Sequence, residues 1–450
     1  MRIVSKKICS LSLALVCLLL ASPGALLAGP IISSTRVTSV DVPAAVDPGR
    51  GDNTGAFWTF SELRSFALSP SPNGESKVGW QDVSGIIHVT PLTSGDERKA
   101  GDILVGAGKL YDLVAHDNGF AVLIMKDTRM YVEKYNDAGT RIFRTELTDS
   151  DDRVDNWHTG KLAYDGTKYS AYFAIHGTAG WTEGHEGDKL KYIDPLGTIQ
   201  LGGWEWGCSH SMDQRFVSSD SADIPICVSD CYPGKGIYLE NRYQVSQADG
   251  DCSGSTNARF GEAAMAGEHG VLVYLSIDGR SRWDVIFDSF AGSAPFAVRS
   301  EVALTSTPDK NEINPKVVPV ADDKLLVSWE TSDGGMRTFQ FVDLDGNPLG
   351  APEMVDVHAG PVNDFKIYPN GDIGWAYAWD DMNHLKIVRI QLQQGDLNGD
   401  GTIDLQDVII GLNVLSGSNL IGITTDGDVN ADHRIGMEEI VYDLKRISEE

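Results

Sequence analysis

The chain has 450 residues, of which 37 are lysine or arginine and 64 are aspartate or glutamate, so its formal net charge is −27. A surface this acidic repels nucleic acid and anionic membranes, which argues against both as partners. The length is sufficient for one large domain and one small domain.

The first 28 residues have the layout of a secretory signal peptide. Three basic residues precede an apolar stretch from residue 8 to residue 20, and Ala28 offers a cleavage site. The apolar stretch is short for a membrane anchor, and nothing comparable follows it in the sequence. We therefore predict a secreted protein, extracellular or periplasmic, without a membrane anchor.

A strand–turn–strand unit recurs seven times between residues 56 and 393. The turns lie at residues 73–74, 118–119, 165–166, 221–223, 269–270, 322–323 and 370–371. Several are Asn-Gly or Asp-Gly pairs, which favour tight hairpins because both central positions take a positive φ. The spacing of about 45 to 57 residues is typical of a four-stranded blade.

The sequence therefore predicts a mainly β fold, with a seven-bladed β-propeller at residues 56–393. A pair of β-sandwiches is the alternative. Residues 29–55, which contain several Gly, Pro and Ser residues, are interpreted either as a loose lead-in segment or as a strand that closes the ring.

Four cysteines remain after the predicted cleavage, all within 45 residues: Cys208, Cys227, Cys231 and Cys252. In an oxidising compartment this clustering predicts two disulfide bonds, for which three connectivities are possible. A thiolate metal site that includes His210 is the alternative, although the spacing matches no zinc pattern.

Polar residues lie several positions before the hairpin turns, where the innermost strands of the blades are predicted to begin. They are His158, His210, Glu262, Asn314 and Asp364. Ligands of propellers commonly bind at the mouth of the central channel, so by analogy these residues form a candidate ring of ligand-binding or metal-binding groups.

A Gly-rich segment at residues 176–188 adds Trp181, His185 and Glu186 to the candidate ligand-binding residues. Tryptophan faces stack on sugar rings, and carboxylates and imidazoles bond to hydroxyls or transfer protons. We therefore predict that the propeller binds an extracellular ligand, with a polysaccharide as the main candidate. The alternative is that these side chains only fill blade interfaces and satisfy the backbone.

A second functional hypothesis is a polysaccharide-degrading enzyme, either an O-glycosyl hydrolase or a lyase. It would use Glu186, Asp188, Glu262 or the pair of His158 and His210. A pair of carboxylates about 5 Å or about 6–9 Å apart would favour glycoside hydrolysis, whereas an empty, apolar or plugged channel would favour binding or a structural role alone. The sequence contains no serine-hydrolase elbow, Walker loop, HExxH helix or dinucleotide fingerprint.

Two acidic loops, 32 residues apart, have the spacing of calcium ligands. The first offers Asp396, Asn398, Asp400, Thr402 and Asp407, and the second offers Asp428, Asn430, Asp432, Arg434 and Glu439. Oxygen donors at loop positions 1, 3, 5, 7 and 12 surround a hard cation that takes six to eight oxygens, with the backbone carbonyl serving at position 7. His433 replaces the glycine expected at position 6, so the second site is predicted to be the weaker.

Each loop leads into a predicted helix with apolar residues on one face, and we expect the two apolar faces to bury each other. This duplicated arrangement at residues 396–447 resembles a dockerin domain. The resemblance implies two bound Ca²⁺ ions and docking onto a cohesin-like protein. Leu405, Gln406, Met437 and Glu438 depart from the Ser or Thr often found at loop positions 10 and 11, and Glu439 departs from the usual Asp at position 12. A calcium-stabilised cap without a partner is the alternative.

Overall fold

A computed structural model describes residues 32–47, 65–208, 213–217, 224–378, 381–392, 395–398, 402–418, 427, 429 and 434–449. The predicted signal peptide lies outside the described residues. Within the described part of the chain, no helix is long and apolar enough to cross a membrane.

The described strands form seven antiparallel sheets. The first contains β2 (Ala67–Pro70), β3 (Ser76–Gln81), β4 (Ile86–Leu92) and β5 (Ile103–Ala107). The second contains β6 (Lys109–His116), β7 (Gly119–Lys126), β8 (Arg129–Asn136) and β9 (Arg141–Glu146). The third contains β10 (Asp152–Arg153), β11 (Gly160–Tyr164), β12 (Tyr169–Gly177), β13 (Glu186–Ile193) and β14 (Ile199–Trp204). The fourth contains β15 (Gln214–Val217), β16 (Ile224–Asp230), β17 (Lys235–Leu239) and β18 (Tyr243–Gln247).

The remaining sheets follow in chain order. The fifth contains β19 (Ala258–Ala266), β20 (His269–Ser276), β21 (Asp284–Ala291) and β22 (Val298–Ala303). The sixth contains β23 (Glu312–Ala321), β24 (Lys324–Thr331), β25 (Arg337–Asp343) and β26 (Glu353–Val355). The seventh contains β27 (Lys366–Ile367), β28 (Ile373–Tyr377), β29 (His384–Leu392) and β1 (Ile32–Asp41).

The seven sheets are the blades of a propeller, which confirms the fold predicted from the repeats. Strands β2, β6, β11, β15, β19 and β23 contact one another in that order, and β2 also contacts β27 and β28. These are therefore the innermost strands around the ring. The second strand of a blade is buried on both faces, as in β7, whereas outermost strands such as β9 and β22 are largely exposed.

The amino-terminal strand closes the ring. β1 pairs antiparallel with β29, from Ile32 opposite Leu392 to Asp41 opposite His384, and becomes the outer strand of the seventh blade. Residues from both ends of the propeller thus share one sheet, so hydrogen bonds between strands hold the ring shut.

Two disulfides form in the fourth blade and the segments that flank it, as the clustered cysteines predict. Cys208 pairs with Cys227, and Cys231 pairs with Cys252. This selects one of the three possible connectivities and leaves none of these thiolates for a metal. Disulfides of this kind are typical of a compartment outside the reducing cytoplasm.

Two helices follow the propeller, α1 (Leu405–Leu415) and α2 (Met437–Glu449). The Asp404 side chain caps α1 and forms a capping box with Asp407. The helices pack closely beside Gly411, where an added Cβ would lie 2.8 Å from Cγ1 of Ile440.

The expectation that the two apolar helix faces bury each other is wrong. Val408 and Ile440 are buried, but most of the other apolar side chains are exposed: Leu405, Ile409, Leu412, Leu415, Met437, Val441 and Leu444. The contact runs through one side of each helix, so the residues that lie around the rest of each helix remain in solvent.

Candidate functional site

A segment between β26 and β27, residues 359–365, crosses the centre of the ring, and we call it the central plug. Its backbone carbonyls accept hydrogen bonds from the innermost strands of several blades. Val362 O accepts from Lys161 Nζ at 2.8 Å, and Pro361 O accepts from Arg215 and Lys316, each at 3.2 Å. The plug therefore occupies the position where a ligand would enter a propeller channel.

The side chain of Asn363 ties the plug to two more blades. Its Nδ2 donates to Phe66 O at 3.2 Å and to Ala376 O at 2.7 Å, and these acceptors lie next to or within the first and seventh blades. Two narrow cavities beside the plug have room for at most about one water molecule. The described part of the channel mouth is filled by the protein's own chain.

Two of the predicted ring residues contact this plug, and a third belongs to it. Glu262 Oε1 accepts from the backbone N–H of Phe365 at 2.8 Å, and Asn314 Nδ2 donates to Ala359 O at 3.0 Å. Asp364, which belongs to the plug itself, pairs with Lys161 at 2.7 Å. Glu262, Asn314 and Asp364 therefore meet at the plug, and their observed partners are residues of the same chain.

Burial and neighbouring charges shift the pKa values of the ionisable groups around the plug. Burial raises the pKa of Glu262 to about 7 and lowers the pKa of Lys316 to about 7, while each charge partly opposes the shift of the other. The Lys161 and Lys366 ammonium groups outweigh burial at Asp364 and hold the pKa of that carboxyl well below its usual range. These groups form a compensated network in the protein interior.

A second group of predicted residues meets on the third blade. Nε2 of His158 lies 2.7 Å from Oε2 of Glu186, although the residues are 28 positions apart in the chain. Nδ1 of His176 contacts the other oxygen of Glu186 and lies 3.7 Å from Oδ2 of Asp155. We call these four residues the blade-3 cluster.

The hydrogen bonds of the blade-3 cluster determine the tautomer of His158. The backbone N–H of Asp155 donates to Nδ1 of His158 at 2.9 Å, so in the neutral ring Nδ1 is an acceptor and the proton is on Nε2. Nε2 therefore donates to Glu186. Burial lowers the pKa of His158 well below its usual value, which favours this neutral form.

Burial, and then the neighbouring Asp155 carboxylate, raise the pKa of Glu186 to about 8. Ligand atoms of Asp155, His158 and Glu186 lie within 4.8 Å of one another. The Arg153 guanidinium lies 3.1 Å from Asp155 and offsets part of the repulsion between the two carboxyl groups. The cluster is thus a partly enclosed group of two acids and two imidazoles.

Aromatic side chains lie near the β12–β13 hairpin, and Trp206 packs beside Gly187. Trp181 is 77 % exposed, and its ring centroid lies 5.5 Å from that of Trp206 in an edge-to-face arrangement. His185 is exposed next to Glu186. Asp188, by contrast, is fully buried and accepts hydrogen bonds from Tyr172 at 2.6 Å and Trp204 at 2.8 Å, as expected for a structural carboxylate.

Sequence reasoning missed Asp155 and His176 as members of the cluster. His176 pairs with Glu186 across the β12–β13 hairpin. Recognising the turn at residues 178–185 would therefore have placed these two residues side by side. Asp155 lies three residues before His158 and is brought in by a local turn. His210, predicted for the same region, lies outside the described residues.

The carboxyl-terminal module contains a second acidic cluster. Asp407 accepts hydrogen bonds from the backbone N–H groups of Leu397 at 2.9 Å, Asn398 at 3.1 Å and Asp404 at 2.8 Å, which closes the first loop onto the start of α1. Glu439 accepts from Val429 at 3.3 Å and from Gly436, in the corresponding position of the second loop.

Asp443, on α2, was not predicted as a member of this cluster. It is fully buried, and neither carboxyl oxygen has a hydrogen-bond partner among the described residues. Burial, and then the charges of Asp407, Glu439 and Asp396, raise the pKa of Asp443 to about 7. The four carboxyl groups therefore repel one another in a site with little solvent.

Several predicted calcium ligands belong to the parts of the loops that the structure leaves out. Asp400, Asp428, Asn430 and Asp432 lie outside the described residues, whereas Asp396, Asn398, Thr402, Asp407, Arg434 and Glu439 lie within them.

Comparison of the chain with models of known protein families gives no match, and comparison with curated proteins gives none either.

Proposed function

We propose that this chain is a secreted calcium-binding protein whose module at residues 396–447 docks onto a partner protein, while its propeller binds an extracellular ligand. The observation that carries the proposal is the convergence of Asp396, Asp407, Glu439 and Asp443, with both oxygens of Asp443 buried and without a partner among the described residues. Carboxyl groups gathered in a buried site repel one another, and cations bound by Asp396, Asp407 and Glu439 would offset the repulsion that acts on Asp443.

The residues of the two loops fit Ca²⁺ by their chemistry. Carboxylate and amide oxygens would come from Asp396, Asn398, Asp400 and Asp407 in the first loop, with the carbonyl of Thr402. The second loop would use the corresponding set: Asp428, Asn430, Asp432, the carbonyl of Arg434, and Glu439. These are hard oxygen donors, which calcium prefers over softer metals. A helical pair this small commonly depends on bound metal for its stability.

The exposed helix faces support docking. Leu405, Ile409 and Leu412 on α1 have counterparts at Met437, Val441 and Leu444 on α2, and all six side chains are at least 43 % exposed. Apolar side chains grouped in this way favour a protein partner over a purely stabilising cap. Together with the dockerin resemblance, they support a cohesin-like protein as that partner.

The blade-3 surface supports a polysaccharide as the propeller ligand. The exposed ring of Trp181, backed by Trp206, is suited to stack on a sugar ring. The exposed His185 and the partly exposed carboxyl groups beside it are suited to bond to hydroxyls. The filled channel mouth favours binding over hydrolysis or lysis at Glu262, because it leaves a substrate little access to that carboxyl group.

The calcium proposal predicts that the purified mature chain binds two Ca²⁺ ions. Chelation, or the double substitution Asp396→Ala with Asp428→Ala, is expected to unfold residues 396–447 and leave the propeller folded. Native mass spectrometry counts the ions, and limited proteolysis with and without EGTA locates the unfolding.

A matched pair of variants gives the control. Glu439→Gln removes a proposed ligand and is expected to weaken one site by more than about tenfold, since ligand charge tunes calcium affinity. Glu438→Gln makes the same change at the preceding position and should leave both affinities unchanged. Absence of bound calcium, or protease resistance of residues 396–447 that is the same with and without EGTA, would contradict the proposal.

A further inference from the structure

The blade-3 cluster combines two features that an ordinary surface ion pair lacks. Two carboxyl groups, those of Asp155 and Glu186, face the same imidazole of His176, and all three side chains are only partly exposed, at 13–22 %. The Asp155 carboxylate disfavours ionisation of Glu186, and the Arg153 guanidinium offsets part of that repulsion. The cluster therefore has an excess of electron-pair donors over positive charge.

The three donors converge from different elements. His176 is near the end of β12, Glu186 begins β13, and Asp155 lies in the loop before β11. The register of the β12–β13 hairpin places His176 directly opposite Glu186, which orders two of the donors at the end of two paired strands. Sites supported by strands hold their ligand atoms more precisely than sites on loops.

We propose that Asp155, His176 and Glu186 bind one divalent transition-metal ion of the zinc class, and that His158 positions Glu186 for this role. Ligand atoms around a tetrahedral zinc ion lie about 3.3 Å apart, as bond lengths of about 2.0–2.1 Å require. The separation of 3.7 Å between His176 Nδ1 and Asp155 Oδ2 is already close to this value. The contact between His176 and Glu186 has to lengthen when the ion enters.

We assign His158 a positioning role because both of its ring nitrogens already form hydrogen bonds. With Nδ1 accepting from the Asp155 backbone, coordination through Nε2 would require either an imidazolate or loss of that hydrogen bond. Donation from Nε2 to Glu186 instead fixes the carboxyl group, and such support of a metal ligand typically contributes about 10–100-fold in affinity.

The ligand atoms of this site also differ in kind from those of the calcium loops. One imidazole nitrogen with two carboxylates favours zinc or a neighbouring first-row metal over calcium, which takes six to eight oxygens. Three protein ligands leave one coordination position free, as in zinc sites that exchange a bound molecule. A water molecule or a hydroxyl-bearing or carboxyl-bearing ligand can complete the coordination there.

The test measures metal binding by the full mature chain. We expect the wild type to retain one zinc ion after dialysis in calcium-containing buffer, and to give visible absorption bands when loaded with Co²⁺. His176→Ala and Glu186→Gln should each lose the ion and the bands, and His158→Gln should weaken zinc about 10–100-fold while still giving bands at saturation.

Two controls keep this test independent of the calcium proposal. His185→Ala removes the exposed imidazole next to Glu186 and should retain the zinc ion, and Glu439→Gln alters a calcium loop and should also retain it. Thermal melting confirms that each variant is folded. If the wild type retains no zinc, or if His176→Ala and Glu186→Gln retain as much as the wild type, the site is a metal-free hydrogen-bonded cluster and the proposal fails.

Discussion

Replacing Glu330 with alanine is expected to lower the free energy of unfolding of the propeller by about 3–5 kcal/mol. Glu330, on β24, is 1 % exposed and forms an ion pair with the guanidinium of Arg337, which is fully buried. The same carboxyl group contacts Nδ1 of His358 at 2.9 Å and accepts from the backbone N–H of Ala359, the first residue of the central plug, at 2.9 Å. The variant leaves a buried cation without its carboxylate and frees one end of the plug.

Urea unfolding followed by tryptophan fluorescence measures this effect. Glu330→Gln retains hydrogen-bonding capacity without the charge, so it should destabilise the propeller less than alanine does. Glu268→Ala, at an exposed hairpin turn, is the control and should change the free energy of unfolding by no more than about 0.5 kcal/mol. A loss below about 1 kcal/mol for Glu330→Ala would show that the plug is not anchored through this carboxyl group.

The blades of the propeller could be predicted from the sequence, but the central plug could not. The seven hairpins were predictable because strand–turn–strand units recur at blade spacing, several of them with Asn-Gly or Asp-Gly turns, and each turn constrains only its local backbone. Residues 359–365 are held mainly through backbone carbonyls and N–H groups, which every sequence possesses. Polar residues such as Glu262 and Asn314 were recognised as unusual, but their partners in the plug lie 103 and 45 positions away in the chain.

The blade-3 cluster could be predicted only in part. His158 and Glu186 were both candidates, yet nothing in their separation indicated direct contact. That contact depends on the register of the β12–β13 hairpin and on the short turn from Asp155 to His158. In the terminal module, both helices could be predicted from the spacing of their apolar residues. Which apolar residues are buried could not be predicted, because apolar residues lie on more than one face of each helix.

The interior of the fifth blade provides a second large expected effect, in which a substitution stabilises the protein. Asp288, on β21, is fully buried, and neither carboxyl oxygen has a hydrogen-bond partner among the described residues. Burial, and then the charge of Glu301 on the neighbouring strand, raise the pKa of Asp288 to about 9. At neutral pH the folded protein therefore holds this group protonated, whereas the unfolded chain ionises it.

Folding at neutral pH takes up a proton at Asp288, so the contribution of this group to stability falls as pH rises from about 4 to about 9. The amide of an asparagine side chain needs no proton, so Asp288→Asn is expected to raise the free energy of unfolding by about 2–4 kcal/mol at pH 8, but by less than about 1 kcal/mol at about pH 4.5. Urea unfolding of both proteins across this range isolates the effect, because the other groups titrate in both. Asp323→Asn, at an exposed turn, should show no such pH-dependent gain. A gain that is equal at both pH values, or a loss of stability at the higher pH, would mean that Asp288 is ionised in the folded protein and has a compensating partner.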